Sequence, residues 1–257
     1  MHAELDQLFS LRGRTAVVTG GSSGIGRQMA WRLSFAGASV VLVARRAELL
    51  RQAADELNAE GGTATWLSGD LGHRPGVRQA ADELSARHGA PDILVNAAGI
   101  NLRPPMDGLT EQDWDRTMAA NLDAPFVLGQ RFGPQMAAAG RGRIINVASQ
   151  QSIRAFGNSG AYGVSKAAGT AVTRSQAEAW SSRGVCVNAV APGFVHTPLT
   201  EPVFSDPDRA QAMAKRTMIG RNGELGDFTG ITALLASDAG AYVTGQTIFV
   251  DGGFSGT

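Results

Sequence analysis

The chain is poor in the residues that mark several large functional classes. A single cysteine among 257 residues, Cys186 between Val185 and Val187, excludes an internal disulfide and a thiolate metal cluster. It reads as a buried thiol in an apolar run. Net charge is absent as well: 23 Lys and Arg balance 23 Asp and Glu, so no broad field of one sign points to nucleic acid or an anionic membrane. No stretch approaches the roughly 18 to 20 uncharged apolar residues that cross a bilayer. Residues 1–14, which include Glu4 and Asp6, lack the basic start and apolar run of a secretory leader. These absences lead to the expectation of a cytoplasmic protein that takes a small molecule, with no nucleic acid, membrane or metal. Repeats, low-complexity tracts and Pro/Gly/Ser-rich linkers are also missing, so one domain over residues 1–257 is expected.

What is present is an alternation. Short Val- and Ile-rich runs at 15–19, 39–43, 64–67, 93–96, 143–148, 185–190 and 247–250 are separated by segments of helical periodicity. Those helical segments fall at 24–36, 47–60, 76–88, 111–139, 159–183 and 225–237. The pattern predicts an α/β, doubly wound Rossmann fold: a seven-stranded, mostly parallel sheet with helices on both faces. Pro125 predicts that 111–139 is two helices or a bent one. In 192–217, Pro192, Pro198, Pro202 and Pro207 interrupt helical periodicity, and this segment after the sixth strand is a candidate substrate lid.

The first run leads directly into Thr19-Gly20-Gly21-Ser22-Ser23-Gly24-Ile25-Gly26 and then a helix. Glycines stand where a backbone must turn tightly and approach a pyrophosphate, and the helix N-terminus offers unpaired amides to the anion. Glycines suit any tight loop, so the position between first strand and first helix carries the inference. About 20 residues on, where an acidic residue would hold a free ribose 2′-hydroxyl, the chain has Arg45 and Arg46. A guanidinium suits a 2′-phosphate, which favours NADP(H) over NAD(H). The plainer alternative is that the two arginines merely solvate the start of the next helix.

Tyr162 and Lys166 are four residues apart in a helical segment and therefore share a face. Only about a thousandth of a free phenol, with a pKa of ~10, is ionised at neutrality, and moving it to ~7 takes about 4 kcal/mol. A nearby ammonium has the right sign to help. Alone, such a pair is an ordinary amphipathic face. Ser149, just past the fifth strand, changes the balance because its hydroxyl would sit at the same sheet edge as the glycine loop, although a strand-end serine also starts turns.

With these residues in place the chain resembles the short-chain dehydrogenase/reductase family from about Leu11 to Gly253. The matching motifs run in family order: TGGSSGIG at 19–26, Asp70-Leu71, Asn96-Ala97-Ala98-Gly99, Asn121, Ser149, the Tyr162/Lys166 pair, Pro192-Gly193 and Val250-Asp251-Gly252-Gly253. The resemblance implies that Tyr162 is the general acid/base and that Lys166 lowers its pKa and holds the nicotinamide ribose. It also implies that Ser149 orients the carbonyl and that Asn121 positions a water beyond Lys166. Gly20, Ser22, Ser23, Gly24, Ile25 and Gly26 would hold the pyrophosphate, and Asp70 and Leu71 would flank the adenine. Asn96, Ala97 and Gly99 would line the central channel, with Pro192, Gly193, Val195 and Thr197 at the nicotinamide. Two departures stand out: Ala97 replaces the more frequent second Asn, and Ser23 stands where some NADP-preferring members have a basic residue. A homotetramer through 111–139, 159–183 and the C-terminal strand is a further implication, with Phe126, Phe132, Ala167, Ala168, Ala171 and Ala177 suited either to that packing or to the core.

Within the family, 99–103, 149–152 and 197–199 most resemble the sugar-acid and polyol dehydrogenases of the gluconate 5-dehydrogenase type. Arg103, Ser149, Gln151 and Asn158 are the candidate substrate residues, with Gln150 and His196 also within reach. A hydroxyl-rich substrate would satisfy such polar groups, whereas an alkyl chain would leave each unpaired at about 1 to 3 kcal/mol. Arg103 is the candidate for a substrate carboxylate, with an exposed loop arginine as the alternative. A 3-oxoacyl-carrier-protein reductase is the competing expectation and would need a basic docking surface, for which Arg131, Arg141, Arg143 and Arg183 are available. A non-catalytic NADP-sensing protein is a third, and the joint presence of Tyr162, Lys166, Ser149 and Asn121 speaks against it.

Overall fold

The computed structural model describes residues 3–256. The Val/Ile runs become β1 (Thr15–Thr19), β2 (Ser39–Ala44), β3 (Ala64–Ser68), β4 (Ile93–Asn96), β5 (Gly142–Val147), β6 (Val185–Pro192) and β7 (Thr247–Val250). They form one sheet in the order β3-β2-β1-β4-β5-β6-β7, every pair parallel. All eight residues of β6 and all four of β4 are buried, as strands covered on both faces require. Period-two alternation distributes side chains between two cores. Val40 and Leu42 enter the cluster with Leu33, Leu50 and Phe228, while Val41 and Val43 enter the one with Leu84, Phe132 and Trp180.

The helices are α1 (Ala3–Phe9), α2 (Gly24–Phe35), α3 (Ala47–Ala59), α4 (Arg74–His88), α5 (Glu111–Met118), α6 (Ala124–Ala138), α7 (Gly160–Trp180), α8 (Glu201–Phe204), α9 (Pro207–Lys215) and α10 (Thr229–Ala236). Met29, Leu33, Leu50 and Leu57 tie α2 and α3 to the first core, and Val77, Leu84, Leu128 and Trp180 tie α4, α6 and α7 to the second. After β3 the chain returns to the other side of β1, so the strand order reverses between β1 and β4. That switch point opens a crevice at the carboxyl ends of the strands.

Several boundaries differ from the sequence-based expectation. α1 was not anticipated. β5 begins at Gly142 and leaves Ala148 outside, and β6 continues to Pro192. α4 starts two residues early because Pro75 suits a first turn and His73 Nδ1 accepts from Gly76 N at 3.0 Å. The break in 111–139 is one π-helical turn, Ala119–Asp123, and Pro125 falls in the first turn of α6, where its missing N–H is harmless. The prolines of the lid do not abolish helices there: Pro202 and Pro207 begin α8 and α9, and Asp206 Oδ1 caps α9 by accepting from Arg209 N at 3.1 Å. Among the described residues no helix is long and apolar enough to cross a membrane.

Candidate active site

A cleft of about 600 Å³ runs along the carboxyl ends of the strands, from Arg45 and Arg46 past the glycine loop to Tyr162 and the lid. At its first end Gly20 has a left-handed φ of 68°, and a Cβ there would stand 2.8 Å from the Ala97 backbone. A Cβ on Gly26 would lie 2.5 Å from Gly20 O. Only bare backbone allows this approach. Ser23 caps α2 with no side-chain bond, which leaves the first amides of the helix for an anion. Arg45 and Arg46 are exposed where β2 ends, and among the described residues neither guanidinium has a hydrogen-bond or ion-pair partner. These donors fit a phosphorylated dinucleotide, and Asp70 and Leu71 complete that wall.

At the other end the side chains are buried and bonded. Lys166 Nζ donates to Val147 O at 2.6 Å and lies 5.6 Å from the centre of the Tyr162 ring, so the two do share a face of α7. Burial pushes the Lys166 ammonium down to about 8. Burial pushes the Tyr162 phenol up, while a hydrogen bond with Ser149 and the charge of Arg103 act in the opposite direction. Burial is thus the largest influence on the phenol, and Arg103 adds a cation that acts in the direction of ionisation. Asn121, in the π turn, is spent on protein partners. Its Oδ1 accepts from Ile100 N at 2.8 Å, and its Nδ2 donates to Ile100 O at 2.9 Å and Ser165 Oγ at 3.0 Å.

Gly20, Ser22, Ser23, Gly24, Ile25, Gly26, Arg45, Arg46, Asp70, Leu71, Ala97, Gly99, Arg103, Ser149, Gln151, Tyr162, Lys166, Pro192, Gly193, Val195 and Thr197 all line the cleft. Four expected residues do not. Asn96 points into the sheet interior, where its Nδ2 donates to Asn146 Oδ1 at 2.8 Å, because β4 is buried on both faces. Asn121 instead borders a small separate cavity of about 10 Å³ that Lys166 also lines. Asn158 is exposed at a φ of 58°, turned away by the loop before α7. His196 pairs with Glu201 at 2.8 Å and stacks on Phe204. Sequence reasoning missed Arg116, Asn101 and Val203 as lining residues, and Ser165 as the tether of Asn121. Asn101 stands on the loop after β4, Arg116 on α5 and Val203 on α8, so only the meeting of these segments at the cleft marks them, and Ser165 on α7 is marked only by its bond to the π turn.

Residues 20–255 match the family model described as "Enoyl-(Acyl carrier protein) reductase". The chain is 37% identical over 248 residues to gluconate 5-dehydrogenase of Gluconobacter oxydans, covering 96% of this chain and 97% of that one. It is 36% identical to 2-dehydro-3-deoxy-D-gluconate 5-dehydrogenase of Bacillus subtilis, covering 97% and 98%. This chain belongs to the short-chain dehydrogenase/reductase family. The solved structure of a Burkholderia cenocepacia gluconate 5-dehydrogenase in complex with NADP and tartrate superposes with a TM-score of 0.93 at 38% identity, covering 98% of this chain and 99% of that one. At the motif that departs from the family pattern, Ala97 N and Ala98 N donate to Thr19 Oγ1 at 3.1 and 3.2 Å, so the main chain makes these contacts and no second Asn side chain is needed for them.

Proposed function

We propose that this short-chain dehydrogenase/reductase is an NADP(H)-dependent oxidoreductase that interconverts a secondary alcohol and a ketone on a sugar acid, keto-sugar or polyol. The observation that carries the reading is the buried Tyr162, set beside Lys166 and sharing the cleft wall with Ser149 where the cleft from the glycine loop meets the lid. Gly20 to Gly26 hold the pyrophosphate and Arg45 the 2′-phosphate. When bound, the nicotinamide supplies or takes up the hydride. Ser149 and Tyr162 hold the substrate oxygen, and Tyr162 gives it a proton in reduction and removes one in oxidation. Lys166 beside the ring and Arg103 stabilise the resulting phenolate, which regains its proton from solvent, and Lys166 also holds the nicotinamide ribose.

The polar wall supports a hydroxyl-rich substrate. Gln151, Asn101, Gln150 and Arg103 surround the reacting end, and the buried Asn101 Oδ1 and Gln150 Oε1 have no protein partner. The bound molecules named for the Burkholderia relative, NADP and a hydroxy dicarboxylate, point the same way. The carrier-protein reading has the family model's description in its favour, but its basic surface is largely neutralised. Arg131 pairs with Asp82 and Arg141 with Asp92, while Arg143 is buried against Asp238. The chain acts as one domain with 192–217 as its lid, in the cytoplasm and as a homotetramer. Phe126 and Val164 are exposed on α6 and α7 for that contact, whereas Phe132 and Ala177 are core. Steady-state NADPH oxidation with 5-ketogluconate, uncharged keto-sugars and an acetoacetyl thioester tests the reading. The keto acid should be turned over best, and a strong preference for the thioester would replace this reading with the carrier-protein one.

A further inference from the structure

The run Val250-Asp251-Gly252-Gly253 contributes no group to the hydride and proton steps, and what it builds lies behind the substrate wall. Past β7, Gly252 and Gly253 take left-handed φ values of 64° and 83° that turn the chain back. The buried Asp251 holds that turn: its Oδ1 accepts from Gly253 N at 3.0 Å and its Oδ2 from Ser255 N at 2.8 Å. The turn carries the Phe254 ring into the molecule, where it is fully buried.

There Phe254 closes a triangle of rings. It lies 5.9 Å from Phe194 and 5.7 Å from Phe156, and those two meet edge to face at 5.5 Å. Phe194 stands two residues past β6, Phe156 precedes α7, and Val203 of α8 packs in the same cluster. Arg216, the residue after α9, lays its guanidinium 4.3 Å from the centre of the Phe254 ring and 5.6 Å from that of Phe156. Phe194 and Val203 are cleft wall, whereas Phe254 and Arg216 stand behind it. A gap behind Phe194 would let that wall retreat, because a close-packed lining is held only by what it packs on.

We infer that Phe254, braced by Arg216, is a positioning residue for the substrate: it holds Phe194 and the lid residue Val203 at the spacing that the substrate needs and leaves the coenzyme end of the cleft untouched. The inference rests on the reading of the lid end as the substrate end. Neither residue lines the cleft, so the effect appears in the substrate KM and not in coenzyme affinity.

The test is steady-state kinetics of the full chain with whichever of 5-ketogluconate, the uncharged keto-sugars and the acetoacetyl thioester wild type turns over best, alongside fluorescence titration of NADPH. Phe254→Leu, which keeps an apolar side chain and loses the ring, is expected to raise KM about tenfold, with kcat within about threefold and NADPH affinity within about twofold. Arg216→Gln is expected to raise KM about threefold, and Arg216→Lys to recover part of that rise. An unchanged KM in Phe254→Leu, or an NADPH loss equal to the KM rise, overturns the positioning role, and no rise in Arg216→Gln overturns the brace. A strong preference for the thioester removes the sugar-acid reading and leaves the Phe254 comparison standing. If wild type turns over none of the three, hydrogen exchange of the NADP-saturated chain decides: faster exchange across 194–216 in Phe254→Leu, with 19–26 unchanged, supports the inference, and equal exchange removes it.

Discussion

At one end of the cleft the charged groups are exposed and uncommitted; at the other they are buried and already bonded. Arg45 and Arg46 project from the end of β2 with guanidiniums that no acid among the described residues neutralises, whereas Tyr162 and Lys166 are 6% and 7% exposed and Lys166 is tied to Val147 O. The difference follows from what each end must do. A cation that binds a phosphate works at the surface because it keeps its hydration until the anion arrives. A proton donor must have its acidity set in advance, and burial is the means, though it disfavours both ions of the pair: the phenol is pushed up and the ammonium down to about 8. A bound coenzyme and substrate then act on a phenol that burial holds in its neutral form, beside an ammonium still charged at neutral pH.

This contrast can be broken most directly at Tyr162. Tyr162→Phe should lower turnover by about 10³-fold while leaving NADPH affinity, followed by fluorescence titration, within about twofold. Substantial activity in that variant would assign the proton to another group. Lys166 gives the next effect. Because its pKa falls from 10.5 to about 8, the folded chain binds fewer protons than the unfolded one between those values, so stability rises with pH across that window and is lost as pH falls through about 8. Urea unfolding of wild type and Lys166→Met from pH 7 to 10 should show a wild-type-specific gain of at most about 3 kcal/mol. Parallel curves would mean that the ammonium is solvated after all.

The exposed end should respond more mildly and more selectively. Arg45→Ala is expected to weaken NADPH about 10- to 100-fold and NADH by less than about twofold, since a charge-assisted bond to the 2′-phosphate is lost. Equal losses would refute the phosphate contact. Arg46→Ala should have the smallest effect, a change of about threefold or less in NADPH affinity at moderate salt, because one guanidinium suffices and the other remains in solvent. If Arg46 proved the larger, the two roles would be exchanged and the contrast between the ends would stand.

The elements built from local pattern were legible in the sequence. β1, β4 and β7 have the bounds that Val/Ile runs predict, and the glycine loop sits between β1 and α2 because Gly20 and Gly26 permit an approach that a Cβ forbids. The Tyr162/Lys166 spacing survives because a helix fixes it. What escaped was set by distant segments. Asn158 has the polarity of a substrate ligand, yet its loop turns it outward. Asn121 belongs to the right motif, but its side chain is consumed by Ile100 and Ser165, which no spacing rule announces. Prolines read as breakers because periodicity does not distinguish the interior of a helix from its first turn, where Pro202 and Pro207 stand.

The sequence by itself therefore determined the sheet, its parallel sense and the shared helix face of Tyr162 and Lys166, because backbone sterics, two-residue and 3.6-residue periods and helical spacing act over short range. Only the tertiary structure decided which polar groups are free to meet a ligand and which proton is held where. The burial of Tyr162 and Lys166 and the presence of Arg103 on the same cleft wall are properties of segments brought together in space, and no short stretch of chain encodes them.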